Sequence, residues 1–314
     1  MRASLVPAAL RYVDQVAKSG SIQKAAKELN VSASAIDRQI LLLEQDFNLE
    51  LFERLPRGMR LTQAGQTVVG LAQHWMADER HIAADLRQLQ GVNQGHVRIT
   101  VMDSHVNGFL PGLILRLNAD YPSISLDVDV ANPDTARASL ISGGADIAAI
   151  FNLSPGRELK VLWTESLPIG CVVRSSHQLA NAGSVSFEEA GSYRIALQSR
   201  ALTIRRFLEA RYGWLFSDPR QAVVTNSQQL IKQLVAEGDY VAFTSELDAA
   251  PELINGSLVF LPIRDATMEP QSVSIAIDAN RTPSRVGRIV ADLAIAEISD
   301  CLRIVRGVNN AADG

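Results

Sequence analysis

The chain has 314 residues, 47% of them apolar, which is enough for two or three buried cores rather than one. It carries 30 Lys and Arg against 34 Asp and Glu, for a net charge of −4, and this excludes a protein that coats nucleic acid by bulk positive charge. Two cysteines without CxxC spacing, no apolar run of membrane-spanning length and no basic–apolar–small leader argue against a disulfide scaffold, a transmembrane segment and a secreted product, and for a cytoplasmic one.

Basic side chains outnumber acidic ones in residues 1–62, so the positive charge is concentrated at one end. The first strong pattern is a helix over residues 21–29. Ile22, Ala25, Ala26 and Leu29 form one buried stripe, and Ser21 stands at the N-cap position. After a break at Asn30 and Val31, a second helix is predicted over 32–47. It is capped by Ser32 and buries Ile36, Ile40 and Leu43. Ala33, Ser34, Asp37 and Arg38 lie opposite that stripe, short or polar enough to approach a groove floor. Periodicity alone fits a DNA-reading helix pair and a plain helical hairpin equally. A strand at 51–54 and a turn at Arg57-Gly58-Met59-Arg60 follow, with glycine where a positive φ is wanted. Arg54, Arg57 and Arg60 in such a wing reach phosphates or a narrow minor groove, or else decorate a solvated hairpin.

Taken together, Leu10-Arg11-Tyr12-Val13, Ser19-Gly20-Ser21-Ile22, Ala25 through Ser32, Ser34 through Ile40, Leu51 through Arg54, Arg57-Gly58, Arg60-Leu61-Thr62 and Ala64-Gly65 resemble the N-terminal winged helix-turn-helix of LysR-type transcriptional regulators. The resemblance implies a homodimer or homotetramer that binds double-stranded operator DNA, answers to a small effector and works with RNA polymerase. Ser21, Ser32, Ala33, Ser34, Asp37, Arg38, Arg54, Arg57 and Arg60 are the implied DNA-facing residues. Two positions depart from the family pattern. Ala33 stands where Gln is usual, which removes a bidentate contact to adenine. Asp37 stands where Ser is usual, and its carboxylate repels phosphate but can accept from a cytosine amino group. Arg38 is assigned to phosphate or a base edge, the alternative being an ion pair with Asp37 or Glu44.

Thr62 caps a long helix predicted to run to about residue 90, with Gly91 as its stop. Val68, Trp75, Ile82 and Leu89 recur every seven residues, and Leu71, Ala72 and Leu86 widen the stripe. Asp78, Glu79 and Asp85 interrupt it. The seam is expected to pair with a second copy or to pack on the chain's own body. His74 and His81 stand too far apart to share a metal ion.

Residues 91–95 read as a hinge, and beyond them strands and helices alternate. Strands are predicted at 96–102, 124–130, 146–151, 160–163, 167–174, 193–197, 222–224, 240–243, 258–262 and 272–278. Helices are predicted at 106–120, 133–141, 202–212, 227–237 and from Thr282-Pro283 to about 304. Such order predicts mainly parallel sheets with right-handed crossovers. The fold class is therefore α/β overall: a winged helix-turn-helix (1–62), a linker helix (63–92), an effector domain (93–306) and a flexible tail (307–314). The effector domain divides into one subdomain of 93–168 plus 268–306 and another of 169–267. It resembles the co-inducer domain of LysR-type regulators and type II periplasmic binding proteins, in element order and in Gly143-Gly144-Ala145-Asp146-Ile147-Ala148.

Ligands of open α/β sheets sit beyond strand C-termini, against helix N-termini. The candidates at such ends are Asp103, Ser104, His105, Asn132, Phe151 and Asn152 in one subdomain, and Ser199, Arg200, Thr203 and Thr244 in the other. Ser104 suits an anion seat and Arg200 a carboxylate, whereas Asp103 favours an uncharged or amine-bearing effector. For each, capping or turn duty is the plain alternative. No Walker loop, GxGxxG, HExxH or GxSxG motif occurs, and no histidine pair has ligand spacing, so no enzyme chemistry, cofactor or metal is expected. The competing class is a binding protein or enzyme whose first helices serve only assembly, and a regulator without an effector is a nearer alternative.

Overall fold

The structure, a computed structural model, describes residues 4–56, 58–88, 95–154, 156–200, 202–216, 223–264 and 270–312. Arg57, Leu89 and residues 91–94 of the hinge expected at 91–95 lie outside the described residues, while Gly95 already belongs to a strand. The chain divides into two compact units, a head and a body.

The head holds α1 (Ala8–Ser19), α2 (Ile22–Leu29), α3 (Ala33–Phe47), β1 (Phe52–Leu55), β2 (Gly58–Leu61) and α4 (Gln63–Gln88). The sequence pattern singles out α2 and α3; the structure adds α1, whose Val13 and Val16 are fully buried with Ala25, Ile36 and Ile40 in one core. Each of the first three helices ends in a left-handed residue, Gly20 (φ 66), Asn30 (φ 55) and Asn48 (φ 51). Glycine and asparagine tolerate that backbone, so the turn between α2 and α3 stays short. Ser32 accepts from the Ala35 amide (3.2 Å) as expected of a cap. Ser21 occupies the cap position of α2, but its hydroxyl caps nothing and turns to Gln23 Oε1 (3.0 Å). Thr62 Oγ1 accepts from the Gly65 amide (3.0 Å) and caps α4. Asp14, 3% exposed, accepts from Lys18 Nζ (2.6 Å) and Gln73 Nε2 (3.1 Å), tying α1 to α4.

The body begins with β3 (Gly95–Val101), α5 (Leu110–Asp120), β4 (Ile124–Val130), α6 (Pro133–Ser142), β5 (Ile147–Phe151) and β6 (Leu159–Leu167). It continues with β7 (Ile169–Arg174), α7 (Phe187–Gly191), β8 (Arg194–Gln198), α8 (Thr203–Tyr212), β9 (Val223–Thr225), α9 (Gln228–Glu237), β10 (Tyr240–Ser245), α10 (Ala250–Ile254) and β11 (Leu258–Pro262). It closes with β12 (Gln271–Asp278) and α11 (Arg285–Ala312). Two five-stranded sheets result, ordered β4-β3-β5-β12-β6 and β11-β7-β10-β8-β9. The chain crosses between them from β6 to β7 and again from β11 to β12.

Four expectations of the sequence do not hold. The sheets are mixed rather than mainly parallel: β4, β3 and β5 are parallel, as are β9, β8 and β10, but β12 runs antiparallel to both its neighbours and so does β7. Pro168 has no amide proton to give a ladder, and it separates β6 from β7 at the sheet switch. A 3₁₀ turn at Asp103–His105 precedes α5, which starts at Leu110 with Pro111 in its first turn rather than at residue 106. The last helix is capped by Ser284 Oγ on the Gly287 amide (3.1 Å), not by Thr282. It continues through residues 307–312, where a tail was expected, past Val305, the last buried residue of its stripe among those described.

Both thiols are free. Burial pushes Cys171 up to about 12 and Cys301 to about 11, so each serves as a small apolar packing residue rather than a reactive thiolate.

A Cβ at Gly65 would lie 2.0 Å from the Leu51 carbonyl oxygen and 2.8 Å from Leu61 Cδ2. Gly65→Ala is therefore expected to lower stability by about 1–3 kcal/mol despite alanine's helix preference. A denaturant midpoint equal to or above the wild type's would contradict this packing.

Candidate functional sites

In the head, the first turns of α2 and α3 and the β1–β2 wing enclose a concave face. Ser21, Ala33, Ser34, Asp37 and Arg54 of the sequence candidates line it, joined by Gln23, Leu55 and Met59, which sequence reasoning did not select. The wing is held there by the Met59 amide, which donates to Gly20 O (2.9 Å). Gly58, at φ 133, leaves no room for a side chain, since a Cβ would meet that same oxygen at 2.6 Å. Ser32 and Arg38 are exposed beside this face. Arg38 makes no ion pair among the described residues, and neither alternative partner is available to it. Asp37 pairs with Arg54 (2.7 Å), and Glu44 accepts from the amides of Leu51 (2.7 Å) and Phe52 (3.3 Å) at the start of β1. Arg60 Nε donates to Glu53 Oε2 (3.0 Å) across the wing, and Arg57 lies outside the described residues.

In the body, a cavity of about 380 Å³ opens where the parallel strands of both sheets end. One lobe lines it with Met102, Asp103 and Ser104 after β3, residues 130–133 after β4, and Phe151 at the end of β5. The other contributes Leu202 and Ile204, Asn226 and Gln228, and Asp248, while Gln271 enters at the start of β12.

Among the predicted effector residues, Asp103, Ser104, Asn132 and Phe151 meet in this cavity. Asn132 also caps α6 through Oδ1 on the Thr135 amide (2.9 Å). Ser104 is buried in the 3₁₀ turn, where the His105 and Val106 amides bond Met102 O (3.0 Å) and Asp103 O (3.2 Å) and so are not available to an anion. His105 lies beneath the surface, 1% exposed, with ring centroids 4.7 Å from Phe151 and 5.3 Å from Phe109. Its Nδ1 accepts from the Met102 amide (3.2 Å). Burial lowers its pKa to about 4, opposed by the charge of Asp248. Asn152, at φ 49, accepts from the Ser272 amide (2.9 Å) and fastens β5 to β12.

Ser199 shapes the turn before α8, its amide donating to Thr225 O (2.7 Å). Arg200 is exposed and engaged with Glu209 (2.7 Å), so it does not present a guanidinium to the cavity. The side chain of Thr203 is outside the described set. Thr244 does not line the cavity; its Oγ1 donates to Asp248 Oδ2 (2.8 Å), so it positions a lining residue. Asp248, Gln228 and Gln271 were missed because none sits directly at a parallel strand's C-terminus. Asp248 was legible only as the acceptor of a Thr-Ser pair at the i−4 and i−3 positions.

His105 ties stability to pH. Its folded pKa of about 4 lies below the ordinary 6.5, so the unfolded chain binds the proton more tightly. This contribution is complete above pH 6.5 and is lost as pH falls toward 4. Unfolding free energies taken across that interval are expected to fall more steeply for the wild type than for His105→Gln. Parallel curves would refute the assignment.

Among the described residues no helix is long and apolar enough to cross a membrane. Residues 7–66 match the bacterial regulatory helix-turn-helix protein, lysR family, and residues 90–298 match the LysR substrate binding domain. A probable RuBisCO transcriptional regulator of Porphyra purpurea is 28% identical over 282 residues, covering 88% of this chain and 89% of its own. The regulator CysB of Haemophilus influenzae is 26% identical over 267 residues, 81% of each chain. Among solved structures, a full-length OxyR variant from Pseudomonas aeruginosa superposes with a TM-score of 0.67 at 20% identity, covering 91% of this chain and 93% of its own. Full-length CbnR complexed with its target DNA gives 0.60 at 18% identity, covering 93% and 98%. The chain belongs to the LysR family and is a ligand-responsive, DNA-binding transcriptional regulator, not an enzyme.

Proposed function

We propose that the concave head face lies on operator DNA, with the first turn of α3 in the major groove and the wing along the backbone. Ser21, Ser32, Ala33, Ser34, Asp37, Arg38, Arg54, Arg57 and Arg60 are the contact residues of this reading. The observation that carries it is the convergence of Ser21, Ala33, Ser34, Asp37 and Arg54 on one surface. The Arg54–Asp37 pair moderates the repulsion that a lone carboxylate would exert on phosphate, which makes Asp37 tolerable at the groove. Arg38, exposed and without an ion pair among the described residues, keeps its full charge for the duplex.

The remaining parts follow the same reading: winged helix-turn-helix 1–62, linker 63–92 and effector domain 93–306 in two subdomains. Leu71, Trp75, Ile82 and Leu86 are 45%, 43%, 45% and 57% exposed along α4, an apolar stripe that a second copy would cover. A homodimer or homotetramer then presents paired heads to DNA in the cytoplasm, in reach of RNA polymerase. A small effector in the body cavity, preferring one arrangement of the lobes, shifts the population toward it and alters the paired heads. The cavity contacts of the reading are Asp103, Ser104, Asn132 and Phe151, backed by His105, Asn152, Ser199, Thr203 and Thr244. Arg200 is withdrawn to its bond with Glu209.

Arg38→Ala is expected to weaken binding to the DNA upstream of the protein's own gene and to reduce the salt slope of log K by about 1. Unaltered affinity and slope would remove Arg38 from the interface. Trp75→Glu is expected to shift the chain toward monomer in sedimentation; an oligomer unchanged at low concentration would place the interface elsewhere.

A further inference from the structure

The body cavity is lined by two carboxylates, Asp103 and Asp248, and by no Lys or Arg among the described residues. The rest of the lining is apolar (Met102, Val130, Phe151, Leu202, Ile204) or neutral and polar. Asp248 is 3% exposed, and its two oxygens differ. Oδ2 accepts from Thr244 Oγ1 (2.8 Å), Ser245 Oγ (2.9 Å) and the Ser245 amide (3.3 Å). Oδ1 is buried with no partner. Gln271, 2% exposed, has a buried Nε2 without a partner, and His105 Nε2 behind the wall is in the same state. His105 Nδ1 is an acceptor, so the proton of this neutral ring sits on Nε2.

A buried carboxylate oxygen and a buried amide left unbonded cost more than ordinary surface groups, so each marks a place where a partner is wanted. One helix N-terminus at the cavity, the start of α9, is already filled. Asp103 Oδ2 accepts from the Gln228 amide at the start of α9 (3.0 Å), so the chain supplies its own anion there and joins the two lobes by it. An anionic ligand would meet two carboxylates and no Lys or Arg among the lining residues, and only the start of α8 at Leu202 is left there without a side-chain cap.

We propose that the effector is a small organic cation, an amine whose N–H groups donate to Asp248 Oδ1 while Gln271 Nε2 donates to an acceptor on the same molecule. This deepens the reading of the cavity as the effector site and rests on it. A protonated amine satisfies the buried carboxylate by a charge-assisted bond, and the apolar lining takes its carbon skeleton.

Two matched sets of probes test the class on the full chain by titration calorimetry: putrescine, 1,4-butanediol and succinate, and benzylamine, benzyl alcohol and benzoate. In at least one set the amine is expected to bind at least about tenfold tighter than the alcohol and the acid. Asp248→Asn should lose that preference, and Gln271→Leu should weaken putrescine less than Asp248→Asn does. Should Asp248→Asn fail to fold, the wild-type ranking and Gln271→Leu decide. Ile204→Trp, which fills the cavity, separates the ligand class from the location of the site. An acid that binds tightest and is lost in Ile204→Trp overturns the amine class and keeps the cavity as the effector site. Amine binding that survives Ile204→Trp overturns the cavity itself as the site. Absence of heat from every probe at about 10 mM, enough to fill a millimolar site, overturns the amine proposal.

Discussion

Parallel pairing is the constraint on which the body depends. Three parallel strands in each sheet require crossovers that return the chain to the same end, so strand C-termini and helix N-termini gather on one edge. Those helix ends carry unpaired amides that something must satisfy. Side chains of the protein do so at two of them, Asn132 at α6 and, at α9, Ser227 together with Asp103 reaching over from the other lobe, whereas α8 has no side-chain cap. At α6 and α9 the cavity therefore offers few idle amides to an anion. Its unsatisfied groups are side-chain atoms of Asp248 and Gln271, and they define its chemistry.

The antiparallel strands β12 and β7 do a different job. Each flanks a parallel triplet and carries the chain between the sheets, and Gln271 enters the cavity because β12 begins there. α11 supports both lobes. Arg306 near its end reaches Glu165 Oε1 (2.9 Å) on β6 and Glu246 Oε1 (2.7 Å) after β10. A cation shared by two carboxylates from different sheets links the lobes at a second place, besides the Asp103 contact at α9.

In the head, the same economy of small residues places the wing. Gly20 ends α1 in a left-handed conformation and offers its carbonyl to Met59, and Gly58 and Gly65 allow backbone to approach backbone. The close fit brings Arg54 to Asp37, residues that are far apart in sequence. The carboxylate at position 37 is thus balanced within the face rather than left as a bare negative charge.

The sequence by itself determined α2, α3 and the turn between them, while α1 came from the structure. Those two helices bury apolar stripes at helical spacing and part at Asn30, and these are local rules that a chain segment carries with it. It also determined that strand ends of an α/β body would gather candidate residues, and four of those chosen on that basis, Asp103, Ser104, Asn132 and Phe151, do meet. Tertiary structure alone decided which polar atoms were left without partners. Arg200 was drawn away by Glu209 and Thr244 by Asp248, while Asp248 and Gln271 came to line the cavity. Hydrogen-bond satisfaction is a competition among all groups within reach, and its outcome depends on distances between segments that no local pattern records.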